Sequence, residues 1–128
     1  MEEENPEIQK INIILKQLIN DVEGIYNVAL VAREGFPVAA ILEKEIEPMK
    51  IGALSAIILN ACERVLLELN QGELDVCIIR GLSGNFVVME CGQNHILASV
   101  ISEEGRLDQI FIKMRSTAEN ILDVLGED

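Results

Sequence analysis

The chain has 128 residues, ten Lys and Arg against 22 Asp and Glu, a formal charge of −12, and 49% apolar residues with only four aromatics. That length supports one hydrophobic core, which must be built from Ile, Leu, Val and Ala. The negative field repels nucleic-acid phosphates and anionic membrane surfaces, and it favours a partner with a basic face.

Residues 1–5 read as an acidic flexible tail, with none of the basic and apolar regions of a signal peptide. Asn5-Pro6-Glu7 then has the chemistry of a helix start: Asn caps free N–H groups, Pro suits the first turn, and Glu complements the positive helix end. Ile8, Ile11, Leu15, Leu18, Ile19 and Val22 recur at helical spacing up to about Glu23-Gly24. Two β-rich runs, Asn27 to Ala32 and Pro37 to Leu42, flank Arg33-Glu34-Gly35-Phe36 and predict a hairpin. Pro37, which lacks an N–H, opens its strand and points to a sheet edge.

Glu47-Pro48 begins a second helix running to about Leu69, and between Met49 and Cys62 its only charged residue is Lys50. A helix apolar nearly all round must be covered on two sides. Its own sheet supplies one cover; in so short a chain, another subunit supplies the second. Small residues Gly52, Ala53, Ser55 and Ala56 would let two such helices approach closely. Three more β runs follow, Leu74 to Arg80, Asn85 to Glu90 and His95 to Ile101, with short glycine-containing links that favour an antiparallel meander. The last helix starts around Arg106 and carries Leu107, Ile110, Phe111, Met114, Ala118, Ile121, Leu122 and Leu125 on one stripe, ending at Gly126. The expected fold is a single α/β (α+β) domain over 1–128, a five-stranded antiparallel sheet flanked by helices in the order α-β-β-α-β-β-β-α.

Little in this sequence suggests catalysis or cofactor chemistry. Cys62, Cys77 and Cys91 form an odd set inside apolar segments, read as small buried hydrophobes in a reducing compartment. With His95 they lack the close ligand pairing of zinc sites, so no metal is expected. One histidine without a nucleophile-elbow pattern gives no catalytic residue, and Arg80-Gly81-Leu82-Ser83-Gly84-Asn85 lacks the Lys and following helix of a phosphate loop. Arg33, Arg64, Arg80, Arg106 and Arg115 could each serve as an arginine finger, but nothing singles one out. No cofactor is expected, and the protein reads as a non-enzyme of the cytoplasm without membrane insertion.

Several stretches together resemble the Roadblock/dynein light chain family, in its archaeal or bacterial GTPase-regulator branch. They are Val22-Glu23-Gly24-Ile25, Leu30 to Ala39 through Arg33-Glu34-Gly35-Phe36-Pro37, the small-residue helix from Met49, and Glu104-Gly105-Arg106-Leu107. The resemblance implies a homodimer, or a heterodimer with a paralogue, in which second helices pack antiparallel and third strands join two sheets. Carried onto this chain, it places Ile51, Leu54, Ile58 and Val65 at the helix contact, and Leu74, Val76, Ile78 and Arg80 on the joining strand. It also implies a dimeric adaptor or scaffold that regulates a small Ras-like GTPase or joins a larger protein assembly. The alternatives are a small-molecule sensor domain, which needs convergent polar groups in an apolar cavity, and a purely structural subunit.

Overall fold

The computed structural model describes residues 5–127; most of the expected acidic tail lies outside them. Eight elements follow in order: α1 (Pro6–Asp21), β1 (Ile25–Ala32), β2 (Pro37–Ile41), α2 (Pro48–Glu68), β3 (Cys77–Arg80), β4 (Gly84–Cys91), β5 (His95–Ser102) and α3 (Leu107–Leu125). The expected order α-β-β-α-β-β-β-α holds throughout.

The helix ends obey local chemistry. Asn5 Oδ1 accepts hydrogen bonds from the backbone N–H groups of Glu7 at 2.9 Å and Ile8 at 3.4 Å, capping α1 behind Pro6. Gly126 closes α3 in the left-handed conformation, as C-terminal glycines commonly do.

All strand pairs are antiparallel, and the sheet order is β2-β1-β5-β4-β3. β2 and β3 are therefore the two edges, in keeping with the position of Pro37. Strand alternation divides the core in two. Val28, Leu30, Val87, Met89, Leu97 and Ile101 face α1 and α3, meeting Ile11, Leu15, Leu18, Ile110, Met114 and Ile121. Ala29, Val31, Val88, Ile96 and Ala98 face the opposite way, where α2 supplies Ile51 and Leu59. Two helices thus cover one face of the sheet and a single helix covers the other.

Strand β3 is shorter than its sequence predicts. The run from Leu74 to Val76 is not in the ladder, and Asp75 pairs instead with Arg115 of α3 at 2.5 Å. That guanidinium holds the Asp75 carboxyl below the usual carboxylate range.

Asn27 is a buried polar group with both ends of its amide engaged. Its Nδ2 donates to Glu43 Oε1 at 2.8 Å, and its Oδ1 accepts from the Glu43 backbone N–H at 2.6 Å, fixing the exit of β2. Asn27→Ala leaves that N–H without its partner and should cost about 1–2 kcal/mol. Urea unfolding would check it: a midpoint equal to that of the native chain would mean that water replaces the amide freely.

A candidate association face on α2 and β3

The inward side of α2 is fixed by Ile51, Ser55 and Leu59, all buried against the sheet. Ser55 satisfies its hydroxyl locally by donating to the Ile51 carbonyl at 2.6 Å. The outward side is also apolar, with Leu54 50%, Ile57 65% and Val65 54% exposed. Leu54, Ile57, Ala61 and Val65 follow one another at three- and four-residue steps, so they form one stripe along the helix. Leu67 and Leu69 continue the apolar surface at its C-terminal end.

β3 lies beside α2. It pairs with β4 through Cys77↔Val88, Ile78↔Val87, Ile79↔Phe86 and Arg80↔Asn85, and among the described residues no strand occupies its other side. Ile78 and Ile79 are both exposed, on opposite faces of the strand. An apolar edge without a partner is a template for pairing with another chain. Between the C-terminal turn of α2 and the segment leading to β3 lies an open cleft of about 990 Å³, lined by Glu63, Leu66, Leu67, Leu74 and Glu90 among others.

The positions expected at an interface separate into groups. Leu54 and Val65 lie on the outward stripe, and Ile78 and Arg80 are exposed on β3. Ile51 is only 3% exposed, beneath the helix. Ile58 and Leu74 are half-buried against the cluster under α2, while Val76 packs toward the α1/α3 side. Ile57 and Ile79 were not singled out by sequence; the three-residue step from Leu54 is the signal that reaches Ile57.

An ion-pair cluster holds α2 in this orientation. Arg33, in the first hairpin, pairs with Glu63 of α2 and with Glu90 of β4, the latter at 3.2 Å. The hydrogen bond to Glu63 raises the Arg33 pKa above its ordinary value. A second pair, Arg64 with Glu68 at 2.8 Å, lies exposed along the helix.

The cysteines correct the reading of three free thiols. Cys62 of α2 and Cys77 of β3 are joined in a disulfide, with their Cα atoms 6.7 Å apart. The fold lays the helix against the edge strand, a proximity that 15 residues of sequence separation do not reveal. Cys91 is free and buried on the other side of the sheet, and burial pushes its thiol pKa up to about 12. Among the described residues no group of three or more His, Cys, Asp or Glu is placed to hold a metal ion. No helix among them is long and apolar enough to cross a membrane.

Known proteins share this architecture. A protein of Methanocaldococcus jannaschii, MJ1340, is 28% identical over 103 residues, spanning 80% of this chain and 90% of that protein. A solved structure described as MglB with tetrameric arrangement superposes with a TM-score of 0.84 at 17% identity, covering 94% of this chain and 90% of its own. A Roadblock/LC7 domain from Streptomyces avermitilis gives a TM-score of 0.83 at 14% identity, covering 90% of this chain and 97% of its own. The sequence model of the Roadblock/LC7 domain matches residues 12–102, from the first helix to the end of the sheet, and the chain belongs to that family.

Proposed function

We propose that the protein is a non-enzymatic adaptor of the cytoplasm that pairs with a second copy of itself, or a paralogue, and presents the joined surface to a small Ras-like GTPase or a larger assembly. The observation that carries this is the outward apolar stripe of α2 lying beside the unpaired edge of β3. Two copies related by a twofold axis would cover the stripe with its own image and close the strand edge by main-chain pairing. On this reading Leu54, Ile57 and Val65 meet across the helices, and the backbone of Ile78 to Arg80 joins the strands. Ile58, Leu74 and Val76 flank the contact, and Ile51 supports it from the core. The charge of −12 favours a basic patch on the regulated partner.

Light scattering over a dilution series tests the pairing: a mass near twice 14.2 kDa should persist on dilution. Purified Ras-like GTPases, loaded with GDP or with a GTP analogue and passed over the immobilised protein, test the partner. A monomer at every concentration would sink the paired platform, and failure to retain any GTPase in either state would sink the regulatory half.

A further inference from the structure

We propose that Cys62 and Cys77 form a reversible redox-modification site, oxidised by a small-molecule disulfide such as oxidised glutathione, that fastens β3 to α2 and so strengthens pairing of the chain. The coupling rests on the self-association proposed above; the site itself does not. Four observations support it. The two Cα atoms, 6.7 Å apart, lie at the upper end of the range that disulfides span. Both cysteines are half-buried, so a small oxidant or reductant can reach them. The third thiol cannot compete, because Cys91 is fully buried on the far side of the sheet, where its raised pKa keeps it protonated. Finally, β3 is the weakest-held strand of the sheet: it has four residues, one strand neighbour, and a preceding connection from Gln71 to Val76 with no regular structure.

In a reducing compartment, disulfides are typically transient and redox-sensing. One cysteine thiolate attacks a sulfur of the small disulfide, forming a mixed disulfide and releasing one small thiolate. The second cysteine thiolate then attacks the protein sulfur of that mixed disulfide and releases the other. Two electrons pass from the pair of cysteines to the oxidant, and the two protons lost by the cysteines end on the two small thiols.

The consequence follows from where the bond sits. Cys77 is the first residue of β3, and Cys62 lies on the flank of α2 turned toward the sheet, so the crosslink joins the two elements of the association face. Oxidised, the edge strand is held in place before a second copy arrives, and less ordering is needed on association. Reduced, β3 keeps its ladder with β4 and the Leu74, Val76 and Asp75 contacts just before it, but loses the covalent tie to α2.

The full chain is equilibrated in glutathione buffers of varied reduced-to-oxidised ratio, quenched, alkylated and weighed by mass spectrometry. Sedimentation at each ratio gives the dimer constant. Cys62 and Cys77 should lose or gain alkylation together within the range of ratios, and reduction should weaken the dimer about 10-fold. A chain with both cysteines replaced, Cys62→Ser with Cys77→Ser, should match the reduced protein in every buffer. A pair that never forms, or that stays oxidised in a large excess of reduced glutathione, would overturn the reversible site. An unchanged dimer constant despite full oxidation would overturn the coupling. If the chain is monomeric throughout, the self-association reading and the coupling fail together, while the alkylation pattern still decides the site.

Discussion

Replacing Ile57 by aspartate should weaken self-association by about 1,000-fold while leaving the fold of each copy intact. A twofold contact counts the substitution twice, and each copy loses the burial of one isoleucine, worth about 2 kcal/mol, before any charge is desolvated. Some 4 kcal/mol in all corresponds to three decades in the dissociation constant. Because Ile57 is 65% exposed in the single chain, the melting temperature of the monomer should hardly move. Ile13 of α1 is just as exposed, at 66%, but it lies on the opposite face of the sheet, so Ile13→Asp is the control. Sedimentation velocity distinguishes them. Equal loss in both variants, or none in Ile57→Asp, would mean that α2 is not the contact.

The second large effect comes from Gly52. A Cβ built there would lie 3.2 Å from the Gly35 carbonyl carbon and 3.3 Å from Pro37 Cδ, and closer still to the Gly35 carbonyl oxygen. The neighbour is backbone in a tight turn whose own residue, Gly35, holds a φ of +104°, so it cannot swing aside as a side chain would. Gly52→Val should therefore force α2 away from the first hairpin, costing about 4 kcal/mol, beyond the usual overpacking range because two main chains collide. For a chain of this size that lowers the melting temperature by about 15 °C. Gly52→Ala sets two effects against each other, since alanine improves helix propensity by about 1 kcal/mol. A net loss by calorimetry would confirm that close approach dominates, whereas a rise in melting temperature would show that the hairpin yields.

Much of this architecture could be read from residue order, and the misses share a cause. Asn5-Pro6 marks α1 through a capping chemistry that is local, and the α3 stripe is legible because Lys113, Arg115, Glu119 and Asp123 mark its wet side. α2 has no such marker between Met49 and Cys62. Its apolar composition predicts a second cover without telling which residues turn inward, so the sequence does not separate Ile51 from Ile57. β3 starts three residues later than its β run predicts, where Asp75 meets Arg115 of α3, and the disulfide needs a helix returning beside an edge strand. Both are contacts between distant parts of the chain, which periodicity does not encode.

The two borders of the sheet are chemically unlike. β2 begins with Pro37, which offers no N–H, and its register with β1 slips between Leu30 and Val31. Such a border resists main-chain pairing. Among the described residues β3 is the border without such a block, and on the proposed pairing a strand joined to its own copy about a twofold axis uses up that border in both molecules. On that pairing, growth through the sheet terminates at two chains, and a protein with an exposed Ile-Ile strand stays a discrete particle instead of lengthening into a fibre.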